Sequence, residues 1–175
     1  MSGDPRSVRT GDDAHDEVAA LFLEHRRGLL RLAVLLLDDE RVAEDVVQDA
    51  FAGLLRQWPR LRDRDRAAGY LRTSVINRSR SQLRRRLVAR RTGLRYEPPA
   101  ASAEANALLG EDRRAVLAAL RRLPPRRQVV LVLRYYSELS DDEIAETLGI
   151  SPHTVRSTAS RAARALGELL GEEDW

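Results

Sequence analysis

The chain lacks several features on which whole classes of protein depend. None of its 175 residues is cysteine, which excludes disulfide bonds, thiolate zinc sites and cysteine nucleophiles. The three histidines, at positions 15, 25 and 153, do not have the spacing of metal ligands. The longest apolar run, Leu32 to Leu37, is too short to cross a bilayer, and the polar N-terminus does not resemble a secretory signal. These absences predict a cytoplasmic protein with no membrane insertion, no metal and no cofactor.

Lysine is absent as well, so all 30 basic residues are arginine. The planar guanidinium suits phosphates and guanine edges, although a biased genomic composition would give the same enrichment. The arginines are unevenly distributed, because residues 59–95 contain 13 of them and 2 acidic residues, whereas the whole chain has a net charge of only +3. A polyanion is the most natural partner of this basic segment.

Aromatic residues make up only 5% of the chain, which excludes extensive base stacking. The basic segment nevertheless has Trp58, Tyr70 and Asn77 in or beside it, and such side chains can stack on or hydrogen-bond to an unpaired base. Two alternatives remain open at this point. The arginines could form a solvated helix end, and Tyr70 could belong to the core.

Apolar residues recur at three- and four-residue steps through most of the chain, which predicts an all-α fold. Three helices are expected in the first half, over residues 18–36, 41–58 and 67–90, the last with Leu71, Val75, Leu83 and Leu87 on one side. The second half predicts helices over 112–122 and 126–136 and two more after them. We therefore expect a disordered acidic terminus over 1–14, a helical domain over 15–95, a flexible Pro- and Ala-rich linker over 96–110 and a second domain over 111–172.

The C-terminal part contains the signals of a helix-turn-helix. Ser140 and Glu143 form a capping box that starts one helix, and Gly149 closes it. Ser151 and Pro152 then start the next helix. An ordinary capped helical hairpin with a solvated polar face is the alternative.

The predicted second helix of this motif has an outward face that is free of carboxylates until Glu168. Such a face can enter a major groove and contact bases and phosphates. Its members are His153, Arg156, Ser157, Ser160 and Arg164, with Arg161 near the border.

The helix over 41–58 has the opposite character, because polar and acidic pairs spaced by four residues follow its apolar stripe. These are Glu44 with Gln48, and Asp45 with Asp49. Carboxylates at these positions do not favour DNA, so they indicate a basic protein partner or serve only solubility.

The order of these parts resembles one family. The segments AEDVVQDAFAGLLRQW, YLRTSVINRSRSQLRRR and, after the linker, LRRLPPRRQVVLVLRYYSELSDDEIAETLGISPHTVRSTASRA are similar to those of bacterial sigma factors of the extracytoplasmic-function (ECF) group, in the sigma-70 superfamily. The short SigE-like subgroup is the nearest in pattern. The similarity covers about Val18 to Leu170.

The resemblance implies a sigma-2 domain over 15–95 and a sigma-4 domain over 111–172. Together they would bind core RNA polymerase, through the clamp helices of β′ and also through β, and direct it to promoters as an alternative sigma factor. It also implies nucleoid association through the polymerase and a possible anti-sigma factor as a further partner.

The resemblance assigns residues to each partner. The residues implied to contact polymerase are Glu44, Asp45, Gln48 and Asp49. Those implied to bind the minus-ten promoter element are Tyr70, Arg72, Asn77, Arg78, Ser81, Arg84 and Arg85. Those implied to bind the minus-thirty-five element are His153, Thr154, Arg156, Ser157, Ser160, Arg161 and Arg164.

Two other functions compete with this one. A free-standing helix-turn-helix regulator would act as a dimer on a palindromic site and would not be a polymerase subunit. An enzyme is disfavoured because the sequence has no phosphate-binding glycine loop, no metal cluster and no nucleophile with a nearby base.

Overall fold

The computed structural model describes residues 6–61, 63–92 and 111–171, and within these ranges it is all-α with no strand, as predicted. Short 3-10 turns at Trp58–Arg60 and Arg64–Arg66 precede the third helix, and a π-helical turn, Val132–Tyr136, follows the fifth. The α-helices are α1 Arg6–Leu37, α2 Glu40–Gln57, α3 Ala67–Arg91, α4 Glu111–Arg122, α5 Pro125–Leu131, α6 Asp141–Leu148 and α7 Pro152–Gly171.

Helix α1 begins earlier than the sequence predicts. The sequence predicts disorder over residues 1–14, whereas the helix already starts at Arg6, and residues 1–5 lie outside the described ranges. No proline interrupts the chain between Arg6 and Val18, the first residue of the buried stripe. Because extending an existing helix costs far less than nucleating one, the helix continues from Val18 toward the N-terminus. The predicted linker over 96–110 also falls outside the described residues.

Helices α1, α2 and α3 all contact one another and form the first module. The carboxylate of Asp39 starts α2 by accepting a hydrogen bond from the Val42 amide at 3.0 Å. Between α1 and α2 the rings of Phe22 and Phe51 meet edge to face with their centroids 5.0 Å apart. Leu87, expected on the apolar side of α3, is instead 40% exposed, because α3 extends past the helices that cover Leu71 and Val75.

Trp58 belongs to this core and is not available to stack on a base. Its ring is buried, and its Nε1 donates a hydrogen bond to Glu17 at 3.1 Å. Glu17 also accepts from Arg64 at 2.5 Å, and the Arg64 guanidinium lies 5.5 Å from the Trp58 ring centroid. These contacts attach the loop between α2 and α3 to α1.

The second module is the predicted helix-turn-helix with two supporting helices. The capping box of Ser140 and Glu143 is formed, and Gly149 ends α6 in the left-handed conformation with φ at +65°. Ser151 Oγ accepts from the Thr154 amide at 3.2 Å and starts α7. Helices α4, α5 and α6 all pack against α7.

The two modules are in contact. Helix α5 of the second module packs on α3, and the π-helical turn packs on α1, so that the buried apolar residues of both modules form one continuous cluster.

Candidate nucleic-acid and protein-binding surfaces

A groove of about 580 Å³ runs between α2 and α3. Its walls are mainly polar and basic. They are formed by Val46, Asp49, Tyr70, Thr73, Ser74, Asn77, Arg78, Ser81, Gln82 and Arg85.

Most of the residues that the family resemblance assigns to the minus-ten element come together here. Tyr70, Asn77, Arg78, Ser81 and Arg85 line the groove. The repeat of the helix explains this arrangement, because positions three, four or seven residues apart on α3 lie on one face. The groove therefore presents an aromatic ring, an amide, a hydroxyl and guanidinium groups to one space.

Two further residues of that set lie elsewhere. Arg84 borders a smaller, apolar depression of about 280 Å³ with Val88 and Ala89, next to Arg85. Arg72 is half-buried, and its charge acts on Glu143 of the second module. The sequence analysis did not predict that Thr73, Ser74 and Gln82 also line the groove. Their spacing from Asn77 and Ser81 along α3 places them on or beside the same helix face and could have predicted it.

The acidic surface of α2 adjoins the groove. Asp45, Gln48 and Asp49 are exposed, and Glu44 is half-exposed beside Arg26, whose Nη2 lies 3.5 Å from the Glu44 carboxylate. Asp49 belongs to both features, because it also lines the groove and accepts a hydrogen bond from Arg78 at 3.0 Å. Arg78 Nε in turn donates to Ser74 Oγ at 3.3 Å.

Helix α7 presents its polar face to solvent. Val155, Ala159 and Ala162 are buried, whereas His153, Arg156, Ser160, Arg161 and Arg164 are exposed, and Thr154 and Ser157 are half-buried.

Local contacts order the arginines on this face. Arg156 lies 3.8 Å from Asp141, Arg161 Nε donates to the Ser157 carbonyl at 3.0 Å, and Arg164 lies 3.8 Å from Glu168. Ion pairs as exposed as these contribute little and are readily exchanged for phosphate contacts.

The capping box has an electrostatic consequence. Hydrogen bonds from the amide and the hydroxyl of Ser140 lower the pKa of the Glu143 carboxyl below its ordinary value of 4.5, and the charge of Arg72 lowers this pKa further. Glu143 is therefore held in its charged form, which is the form that closes the helix end.

Known families match both modules. Residues 21–87 match the family described as Sigma-70 region 2, and residues 113–166 match Sigma-70, region 4. The RNA polymerase sigma-E factor of Streptomyces coelicolor is 36% identical over 148 residues, which cover 83% of this chain and 81% of that protein. The chain belongs to the ECF group of sigma-70 factors.

Other sigma factors agree with this assignment. The ECF RNA polymerase sigma factor SigL of Mycobacterium tuberculosis is 34% identical over 161 residues, covering 87% of this chain and 88% of SigL. Among solved structures, the sigma factor RpoE of Bartonella quintana, crystallised with its anti-sigma factor NepR, has the same fold. It matches with a TM-score of 0.72 at 24% identity and covers 87% of this chain and 96% of RpoE.

The sigma factor is accordingly a subunit that directs RNA polymerase to promoters, and a free-standing dimeric regulator is not favoured. No helix among the described residues is long and apolar enough to span a membrane.

Proposed function

We propose that this sigma factor works by binding alone, with separate surfaces for polymerase, for opened DNA and for duplex DNA. One observation carries the proposal: an acidic surface and a basic groove lie side by side on α2 and α3, while the second module carries an exposed basic helix. Surfaces of opposite charge on neighbouring helices fit a protein partner and a nucleic-acid partner that meet at this point.

The acidic surface of α2 is the proposed contact with core polymerase. Asp45 and Gln48 project from it into solvent, with Glu44 and Asp49 at its two borders. Their carboxylates would pair with basic side chains on the clamp helices of β′. Charge complementarity of this kind sets the association rate and the specificity of docking more than the final affinity.

The groove is the proposed site for the unpaired minus-ten element. Tyr70 offers a ring face, Asn77 offers an amide that can both donate and accept, and the arginines offer phosphate contacts. A base that leaves the DNA stack would enter between α2 and α3, and Arg84 and Arg85 would hold the backbone beside it. The family resemblance assigns Arg72 to the same promoter element, although Arg72 does not line the groove.

Helix α7 is the proposed reader of the minus-thirty-five element. Its N-terminal residues His153, Thr154 and Arg156 would reach base edges, as in other helix-turn-helix proteins. Ser157, Ser160, Arg161 and Arg164 follow along the same face and would contact bases or phosphates.

We further propose that an anti-sigma factor can mask these surfaces, as NepR assembles with the Bartonella sigma factor. The sigma factor would act in the cytoplasm, associated with the nucleoid through polymerase. It would use binding energy to position the enzyme and would catalyse no reaction itself.

Run-off transcription with purified core polymerase tests the proposal. On a promoter of this sigma factor, transcripts should require both core and sigma factor, and the sigma factor alone should bind that promoter weakly. Tight sequence-specific binding by a stable dimer without core, and no transcript with core, would instead establish the free-standing regulator.

A further inference from the structure

The arginines on the exposed face of α7 differ in what holds them. Arg161 donates to a backbone carbonyl of its own helix, and Arg164 pairs with Glu168, also on α7. Arg156 instead has its Nη1 atom 3.8 Å from Oδ2 of Asp141, the first residue of α6. Within the part of the chain that the structure describes, Arg156 is thus the arginine of this face that pairs with a carboxylate from another helix.

Asp141 is itself held by a third element. Nη2 of Arg134, in the π-helical turn, donates to Oδ1 of Asp141, while Oδ2 faces Arg156. The side chains of Arg134 and Asp141 are 28% and 21% exposed, whereas that of Arg156 is 61% exposed. The two inner members are therefore shielded, and the outer one projects into solvent. Asp141 is a fixed bridge and not a freely rotating surface carboxylate, because each of its oxygens faces a guanidinium.

The backbone of the π-helical turn fixes the position of Arg134. Turns of this kind are rare and often occur at functional sites. Here the Ser137 amide donates to the Val132 carbonyl at 3.1 Å, and the Leu139 amide donates to the Leu133 carbonyl at 3.1 Å. Leu133 is fully buried, which anchors the turn in the core of the second module. Arg134 is therefore kept within reach of the start of α6.

An arginine that is held at one end of its guanidinium can still read a base with the other. The guanidinium has five N–H donors in a planar fork, and its paired contact with O6 and N7 of guanine is the commonest specific contact in the major groove. Asp141 faces Nη1 of Arg156, so the donors on Nη2 and Nε point away from this contact. Arg156 also lies near the start of α7, the part of a recognition helix that meets base edges. Ordering its side chain beforehand reduces the entropy lost on binding.

We propose that Asp141 is a positioning residue which, held by Arg134, orients Arg156 to read a guanine of the minus-thirty-five element. The inference rests on the proposed function, since it requires α7 to enter the major groove. Asp141 then acts in opposite directions on affinity and on specificity. Its charge weakens the general attraction of this surface for phosphates, whereas its contact with Arg156 increases the preference for one base.

Selection from a promoter library tests the proposal. Holoenzyme made from core polymerase and the full-length chain is mixed with duplex DNA that is randomised in the minus-thirty-five region, and the bound fraction is sequenced. The wild type should select guanine at the base pair where Arg156→Ala loses selection. Asp141→Asn and Arg134→Gln should each lower the preference for guanine over adenine at this base pair by about fivefold and leave the other positions unchanged. In the Arg156→Ala background, Asp141→Asn should have no further effect there.

Asp142→Asn is the matched control, because it removes the same charge from the same turn of α6 at an exposed position. It should keep the wild-type preference for guanine. Asp141→Asn and Asp142→Asn should change binding to duplex DNA without a minus-thirty-five element equally, since both remove one negative charge. A variant that fails to fold would instead lose selection at every position, and thermal melts identify it.

Either of two results overturns the proposal. One is a selection profile of Asp141→Asn that equals that of Asp142→Asn, and the other is an Arg156→Ala variant that loses no preference for guanine. Failure of the proposed function gives a different pattern. The wild-type holoenzyme would then select no minus-thirty-five sequence at all, and the inference would fall with it.

Discussion

Asp49 on α2 and Arg78 on α3 are joined by a hydrogen bond of 3.0 Å across the groove. The family resemblance assigns these two residues to different partners, the carboxylate to polymerase and the guanidinium to DNA. Their side chains are 67% and 37% exposed, so the pair is accessible from solvent and weak. A basic group of polymerase that pairs with Asp49 would release Arg78, which connects the two proposed surfaces physically.

This connection predicts how the free protein binds DNA. Asp49→Asn should raise the affinity for a single-stranded minus-ten oligonucleotide by about threefold, because Arg78 no longer has a competing partner. Arg78→Gln should lower this affinity, and in that background Asp49→Asn should have a smaller effect. Fluorescence anisotropy without core polymerase measures all four combinations as a double-mutant cycle.

Asp45→Asn is the matched control, since it removes the same charge from the same helix at an exposed position outside the groove. If Asp45→Asn and Asp49→Asn raise the affinity equally in both backgrounds, the effect is one of net charge and the coupling is absent.

The acidic surface of α2 leads to a prediction for polymerase binding. Asp45→Arg should weaken association with core by about tenfold, because it places a like charge against the basic surface that the carboxylate would meet. Surface plasmon resonance with immobilised core measures the effect, which should fall mainly on the association rate at low salt. Glu24→Arg changes a carboxylate that is 71% exposed on α1 and should have little effect. Equal binding by both variants would remove α2 from the polymerase interface.

Helix α7 gives a prediction that separates the two promoter elements. Arg156→Ala should reduce run-off transcription from a promoter that depends on its minus-thirty-five element by about tenfold, within the range for loss of one base contact. Binding of the minus-ten oligonucleotide should not change, because Arg156 lies in the other module. Arg114→Ala, at an exposed position of α4, provides the comparison. A promoter whose minus-thirty-five element has been replaced should show no difference between wild type and Arg156→Ala.

The capping box predicts a dependence of stability on pH. Because the pKa of Glu143 is lowered in the folded chain, its stabilisation is fully present above about 4.5, the value expected for the unfolded chain, and is lost as the pH falls through the lowered folded value. Thermal melts of wild type and Glu143→Gln should differ at pH 6 and converge as the pH approaches 3. A constant difference in melting temperature over that range would show that the charge of Glu143 does not support the helix end.

The sequence predicts the helices well, because their signals are local. Apolar spacing identifies the buried stripes, and residues such as Ser140, Gly149 and Pro152 mark helix ends through the hydrogen bonds or backbone angles that they allow. The predicted start of α1 is wrong, because it rests on the charge of the first residues. Charge alone does not end a helix, and no proline stands between Arg6 and Val18. Leu87 has the spacing of a core residue but extends beyond the helices that would cover it.

Trp58 shows the limit of composition as a guide to a site. Trp58 continues the apolar stripe of the helix over 41–58 and also stands beside many arginines, so the sequence allows both a core residue and a base-stacking residue. In the structure its ring is buried and its N–H is bonded to Glu17, 41 residues earlier. Conversely, the basic groove could be anticipated in part, because Asn77, Arg78, Ser81 and Arg85 share a face of α3 through the helix repeat.

The order of amino acids was sufficient to determine the helical class, the ends of most helices, the separation of charge along the chain and the family. Only the tertiary structure decided that Asp49 turns into the groove toward Arg78 and that Gln128 completes the end of α1. Helix formation depends on neighbours within about four positions, which the sequence displays directly. A contact between residues 29 or 93 positions apart depends on how whole helices pack, and no local pattern encodes it.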